Sequence, residues 1–333
     1  MADPFFRTRR ADMDVKQLRY FVQIVESGSL SKASRQLFVV QPALSQQMAR
    51  LEEEVGKPLL VRSTRGVVPT ENGEALYHHA KFVLRQLDEA VLVARHDYAH
   101  IGGRVALGLA ADTSCMLGLP LLRHLKEKYP GILLNIVVGL PTQLEERARQ
   151  SQLDLAILFS TTAASELTYE PLLNEDVVVV VPANSPLVPR EKESLTIAET
   201  AALPLVLASP QHNLRRRVMQ EFERANLQVS IVAEIDSLEL VMRYVAEGGG
   251  ATIQSIAATH TSGSPAAWRC LPISDAPIRR PNYLYALPIR QLSASASVVR
   301  AELKLLVRQL VESGTWQGVR LAPQSPDDSA PPS

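Results

Sequence analysis

From Gly102 onward the chain alternates strand, helix and strand, and that rhythm excludes most ways of folding its C-terminal two thirds. "RVALGLA", "ILLNIVVGL" and "LDLAILFS" have β texture, and "LPLLRHLKEKYP" and "PTQLEERARQ" between them have helical length. Parallel strands need a crossover long enough to hold a helix, so this order makes a βαβαβ unit. It repeats, with "DVVVVVP", "LPLVLAS" and "SIVAEI" as strands and "HNLRRRVMQEFERAN" and "SLELVMRYVAEGG" as helices. "RPNYLYALPI" adds a strand, and "ASVVRAELKLLVRQLVESG" an amphipathic helix that returns to the first lobe. The expected fold class is α/β, with lobe 1 at residues 102–172 and 278–315 and lobe 2 at 173–277.

The first hundred residues have another texture. In "VKQLRYFVQIVESGS", Leu18, Phe21, Val22 and Val25 keep helical spacing until Ser27, Gly28 and Ser29 end the run. "SLSKASRQLF" follows, with Ser29 as N-cap and Ala33 and Leu37 on one face. In "QPALSQQMARLEEEVG", Leu44, Met48, Leu51 and Val55 form a narrow apolar stripe, and Pro42 is tolerated in the first turn. Three short helices with the small Ala33 at a close approach make a helix-turn-helix. "KPLLVRSTRGVVPT" reads as a hairpin, so residues 13–69 are expected to be a winged helix-turn-helix.

A proline-free helix is expected over residues 70–98, with Thr70 as N-cap. Leu76, Val83 and Ala90, interleaved with Ala80, Leu87 and Ala94, repeat every seven residues, which suits a dimerisation seam. The same spacing also suits a helix packed on its own domain. Residues 1–12 and 318–333 are expected to be disordered, the latter because "APQSPDDSAPPS" is rich in Pro and Ser. The true start is either Met1 or Met13, and Arg7, Arg9 and Arg10 would make a basic arm if translated.

The 35 basic and 35 acidic residues cancel, so any attraction for nucleic acid has to be local. Between Met13 and Gly66, eight Lys or Arg against five acids leave a modest positive excess. Two cysteines without CxxC spacing suit a reducing cytoplasm, and no apolar run has the length of a signal peptide or membrane span. Cys115 is either a small buried residue or a redox-sensitive thiol near a helix start. His78, His79, His96 and His100 include an i, i+4 pair, for which surface histidines are the plainer reading and metal ligation the other. No GxSxG or P-loop is present, and "GGGAT" follows a helix rather than a strand, so no catalytic residue, cofactor or metal is assigned.

Residues 13–315 resemble a LysR-type transcriptional regulator, most specifically through "QPALS", the pairs Leu51–Glu52 and Leu59–Leu60, and Gly56, Arg62, Pro69, Thr70 and Gly73. The wing and linker "RGVVPTENGEALYHHAKFVLRQ" are similar to the branch of nitrogen assimilation regulators. The chain departs from the family pattern at Ser34 after Ala33, at Gln254 in "GGGATIQSIAA" and in "RQSQ" before "LDLAIL".

The resemblance implies a non-enzymatic, cytoplasmic regulator that binds partially palindromic promoter DNA, contacts RNA polymerase and associates as a dimer and tetramer. It implies base reading by Gln41, Pro42, Ser45 and Gln46, whose short or amide side chains suit major-groove edges. Arg62 and Arg65 are expected on phosphate or in the minor groove, with Ser31, Lys32, Arg50 and Thr64 as further phosphate candidates.

A small, anionic effector is expected between the lobes. Strand-end logic nominates Thr113, Ser114, Thr142, Ser160, Thr161, Ser209, Gln211 and Asn213, with simple helix capping as the other reading, since Thr113, Thr142 and Asn213 would sit there in any α/β fold. Control by protein level alone, without an effector, is the other possibility. The competing class is a small-molecule-binding or catalytic α/β protein whose N-terminal helices form a partner-binding module.

Overall fold

The computed structural model describes residues 13–63, 66–94, 101–150, 152–160, 167–261, 264–287 and 292–323. The chain divides into two compact units.

In the N-terminal unit, α1 (Val15–Ser27), α2 (Leu30–Gln36) and α3 (Gln41–Val55) are followed by β1 (Leu60–Ser63), β2 (Gly66–Pro69) and α4 (Glu71–Ala94). Asp14 starts α1 with a capping box, in which its carboxylate accepts from the Gln17 N–H while the Gln17 side chain accepts from the Asp14 N–H. Gly28 ends α1 in a left-handed conformation at φ +64°, where a side chain is disfavoured, and its carbonyl accepts from Val67 of the wing at 2.9 Å. Leu44, Met48 and Leu51 seat α3 on Phe21, Ile24 and Ala33. Val55 departs from the expected stripe, being 40% exposed one residue before the Gly56 C-cap. The wing strands are antiparallel, with Ser63 opposite Gly66. Glu52 fastens them to α3 by accepting from the N–H groups of Leu59 and Leu60 at 2.8 and 3.0 Å. Gly73 has to be glycine, because a Cβ there would lie 2.0 Å from the Leu59 carbonyl oxygen.

Leu76 and Ala80, both expected in the seam on α4, pack within their own domain. Ala80 is 1% exposed and packs with Leu18 and Val22 of α1 in the same chain, with Leu76, Val83 and Leu84 around it. Own-domain packing therefore uses the first half of the repeat. Leu87 is half-buried, and the side chains of Ala90 and Ala94 lie outside the described residues.

The C-terminal unit holds β3 (Gly103–Leu109), α5 (Ala111–Lys128), β4 (Ile132–Val138), α6 (Pro141–Arg149), β5 (Leu155–Leu158) and β6 (Thr168–Pro182). Then come α7 (Ile197–Ala201), β7 (Pro204–Leu207), α8 (Asn213–Arg224), β8 (Ser230–Glu234), α9 (Leu238–Ala246) and β9 (Ala251–Ser255). β10 (Trp268–Leu271), β11 (Ile278–Ala286), α10 (Ala294–Glu312) and β12 (Val319–Leu321) complete it. One sheet runs β4-β3-β5-β11-β6-β9-β7-β8, parallel within each lobe and antiparallel where β11 and β6 cross between them. One core gathers Leu107, Leu117, Leu284 and Val299, and the other Val179, Leu205, Phe222 and Ile253.

Three boundaries differ from expectation. α5 begins at Ala111, well before Leu119, and runs through Pro120. β6 passes without a break through the boundary expected at 172/173. Residues 319–321, placed in a disordered tail, form β12 against β6, because buried Trp316 anchors the segment and Gly318 at φ +69° turns it back.

The last helix returns to lobe 1, as its pattern suggested, through Glu302. This buried carboxylate accepts from Lys128 Nζ and His124 Nε2 at 2.6 Å and from the Tyr129 hydroxyl at 2.9 Å. Burial opposes its ionisation, but the hydrogen bonds from Lys128, His124 and Tyr129 prevail and bring it down to about 2. A carboxyl depressed below its unfolded value of about 4.3 contributes stability in full above that pH and loses it as pH falls towards 2. Glu302→Gln should therefore lower Tm at pH 7 and shrink the Tm difference between pH 7 and pH 3, both read by calorimetry.

Candidate nucleic-acid interface and ligand cleft

The front of α3 follows from how its back is held. With Leu44, Met48 and Leu51 buried, Gln41, Pro42 and Gln46 face solvent and Ser45 is half-buried. Val40 caps α3 without a side-chain hydrogen bond, so nothing from the N-cap side chain covers this end. Ser31 Oγ donates to Gln41 Oε1 at 2.8 Å, which ties the first turn of α2 to the first residue of α3. With its oxygen engaged, Gln41 presents the two N–H donors of its amide. Gln46 is exposed and has no side-chain hydrogen bond among the described residues, so both halves of its amide are available for a bidentate pair with adenine.

Arg62 reaches back from β1, its Nη1 donating to Ser45 Oγ at 2.9 Å. The wing arginine and the helix hydroxyl thus converge, and Ser45 is held by Arg62 rather than free. Lys32 and Arg50 are exposed cations. Thr64 and Arg65 lie outside the described residues, as do Arg7, Arg9 and Arg10.

In the C-terminal unit a cavity of about 480 Å³ opens between the strand ends of the two lobes, lined by Asp112, Ser114, Cys115, Phe159, His212, Asp236, Gln254 and Arg280 among others. A small pocket of about 40 Å³, sharing His212 and Asp236, adjoins it, and beyond lies a cavity of about 470 Å³ bearing Arg216 and Arg217.

The electrostatic centre is Arg280 on β11, 4% exposed. It donates to Glu175 Oε2 through Nε at 2.9 Å and Nη2 at 2.6 Å, bonds Asp112 through Nη2, and lies 3.8 Å from the Phe159 ring centroid. Asp112 also accepts from Ser255 Oγ at 3.0 Å, so a lobe 1 carboxylate is tied to lobe 2. Burial opposes ionisation of Asp112, but the Arg280 charge and hydrogen bond outweigh it and its carboxyl is lowered. Glu175 goes the other way: burial, with the neighbouring Asp112 charge, raises it against the pull of Arg280. Arg280 is raised by its two carboxylates against the effect of burial and stays cationic. His212 is lowered by burial and by the Arg280 charge. Its Nδ1 accepts the Leu214 N–H at 3.3 Å, which requires the neutral ring.

The residues nominated by strand-end logic scatter around this cleft. Ser114 lines the main cavity and donates to the Ala111 carbonyl at 2.7 Å. Thr142 and Asn213 line both smaller spaces, Ser160 the Arg216 side, and Ser209 and Gln211 the small pocket. Thr113 is a correction: it is fully buried, outside the cavity lining, and its hydroxyl has no partner among the described residues. Thr161 lies outside the described residues. Asp112, His212, Asp236 and Arg280 were missed. The Asp112 carboxyl next to the nominated Thr113 offered a signal, but Arg280 offered none, since its partners are 168 and 105 residues away.

Cys115 lines the cavity, its sulfur 3.2 Å from the Ala111 carbonyl oxygen, while burial pushes the Cys270 thiol up to about 11. Among the described residues no cluster of three or more His, Cys, Asp or Glu has metal-binding geometry; His96 and His100 lie outside them. No described helix is long and apolar enough to cross a membrane.

Comparison with known proteins converges on one family. Residues 15–74 match the model described as bacterial regulatory helix-turn-helix protein, lysR family, and residues 99–307 match the LysR substrate binding domain. The nitrogen assimilation regulatory protein nac of Klebsiella aerogenes is 34% identical, over 77% of this chain and 83% of its own length. The Escherichia coli K12 protein of the same name is 31% identical, over 92% of this chain and 99% of its own. Full-length OxyR from Pseudomonas aeruginosa shares the fold at a TM-score of 0.72 and 22% identity, covering 94% of this chain and 99% of that one. The helix-turn-helix with its open α3 front, the two-lobed α/β unit with its cleft, and these relatives together make the chain a member of the LysR family of transcriptional regulators.

Proposed function

We propose that this regulator reads a partially palindromic promoter site through α3, with Gln41, Pro42, Ser45 and Gln46 at base edges and Arg62, Lys32, Ser31 and Arg50 at phosphates. The observation that carries the reading is the exposed amide front of α3, flanked by Arg62 from the wing and by Ser31 and Lys32 from α2. A single helix-turn-helix reads few base pairs, so two copies would dock on groove faces about 34 to 36 Å apart or a multiple of it. Pairing of the two copies is assigned to α4 from Leu87 onward, since Leu76 and Ala80 are used within the protomer. Association into a tetramer, contact with RNA polymerase and a cytoplasmic location follow from the same reading.

The cleft is assigned to a small effector, and its charge favours a ligand other than the expected anion. Arg280, the cation of the main cavity, is already matched by two carboxylates, and Asp236 and Glu239 add negative charge at the walls. An anion there would meet Asp112 before it met an unmatched positive charge. A ligand without net negative charge suits the main cavity, and an acidic group would be better received beside Arg216 and Arg217.

Gln46→Ala should relax preference at one base pair of a duplex selected by the protein from a randomised pool. Arg62→Ala should instead weaken all duplexes and flatten the slope of log K against log salt by about one, as one fewer counterion is released. Equal, uniform loss in both variants would refute the division of roles. For the cleft, Arg280→Met should destabilise by about 3 to 5 kcal/mol in urea unfolding, because Asp112 and Glu175 lose their shared counter-charge. Adding Asp112→Asn should restore part of that loss, whereas an arginine held in reserve for an anion would give no coupling.

A further inference from the structure

The connection between α2 and α3 contains a residue, Phe38, whose side chain packs against no core. Val39 N–H bonds the Ser34 carbonyl at 3.0 Å and Phe38 N–H points to the Arg35 carbonyl at 3.4 Å, which closes α2 in the hydrogen-bond pattern that favours glycine at position 38. Phenylalanine stands there at φ +55°, a left-handed conformation strained for a bulky side chain, and its ring is 95% exposed. Glycine or asparagine would hold the same turn with less strain, and the ring covers no core.

The surroundings indicate what the ring meets. Phe38, Val40 at 70% exposure, and exposed Pro42 and Ala43 lead directly into Gln46 on the front of α3. Exposed Lys32 and Arg35 on α2 precede the apolar run and bring positive charge to this end of the motif. An exposed apolar ring that follows two exposed cations in the chain and leads into a base-reading helix suits a groove edge where phosphates border thymine methyl groups. We infer that Phe38 is a sequence-selective DNA contact that packs against a thymine C5-methyl beside the bases read by α3. This rests on the assignment of α3 as the reading helix.

The test uses the full chain and a duplex that the protein itself has selected from a randomised pool, with anisotropy for affinity and thermal unfolding for stability. Phe38→Gly and Phe38→Asn should leave Tm equal to or above the parent while weakening the selected duplex about three- to tenfold. The salt slope should not change, because the ring releases no counterion. Replacing one thymine by uracil, which removes only the methyl, should weaken the parent about threefold and leave Phe38→Gly unaffected. Unchanged affinity in both variants would overturn the proposal, as would a uracil penalty equal in parent and variant. Loss of transcription with unchanged DNA affinity would also overturn it and assign the ring to polymerase. Gln46→Ala run in parallel separates the two levels. If it shifts base preference while the Phe38 variants do nothing, only this inference fails; if neither has an effect, the reading-helix assignment fails with it.

Discussion

α3 has to be buried on one side and bare on the other, and the N-terminal unit is arranged around that requirement. Three apolar side chains, Leu44, Met48 and Leu51, hold the helix, each worth about 2 to 5 kcal/mol if cut back to alanine. With so narrow a stripe doing the anchoring, the rest of the circumference is left for polar contacts. The helix is then clamped from outside its own length: Glu52 holds the wing, Arg62 returns from the wing to Ser45, and Ser31 orients Gln41. Side chains fixed before binding lose less conformational entropy on meeting DNA.

The C-terminal unit solves the opposite problem, that of leaving a cleft without leaving a charge unmatched. Two lobes joined by crossing strands would expose Arg280 at their junction. Instead β6 supplies Glu175, α5 supplies Asp112, and Phe159 covers the guanidinium. Breaking such a cluster is costly because a lone buried charge remains, so Asp112, which also bonds Ser255, couples the lobes through the floor of the cavity. On the reading proposed above, a ligand entering there would meet a neutralised arginine, so that hydrogen bonding and shape rather than net attraction would decide what is held.

Much of this was readable in the chain because it depends on local period. The stripe on α3, the wing, the repeating α/β order and the returning last helix follow from spacings of two to four residues. The misreadings have local causes too. The helical run is legible only from Leu119, although α5 already starts at Ala111 and carries Pro120 inside it, and the Pro- and Ser-rich tail hides the short strand that Trp316 anchors. Thr113 sits one residue from the cavity lining on either side, at a helix position turned into the core. The seven-residue repeat of α4 could serve either its own domain or a partner, and Ala80 beside Leu18 decides for its own domain at that end. The Arg280 cluster was beyond reach, since charges brought together across the whole sheet leave no spacing to recognise.

The central claim, that amides at the front of α3 touch base edges, is tested most directly by replacing adenines of the selected duplex, one at a time, with 7-deazaadenine. That change removes a single major-groove acceptor and leaves base pairing and phosphate charge intact. The account predicts that one or two positions per half-site lose affinity by about tenfold in the parent and by little in Gln46→Ala. Indifference at every adenine would contradict it.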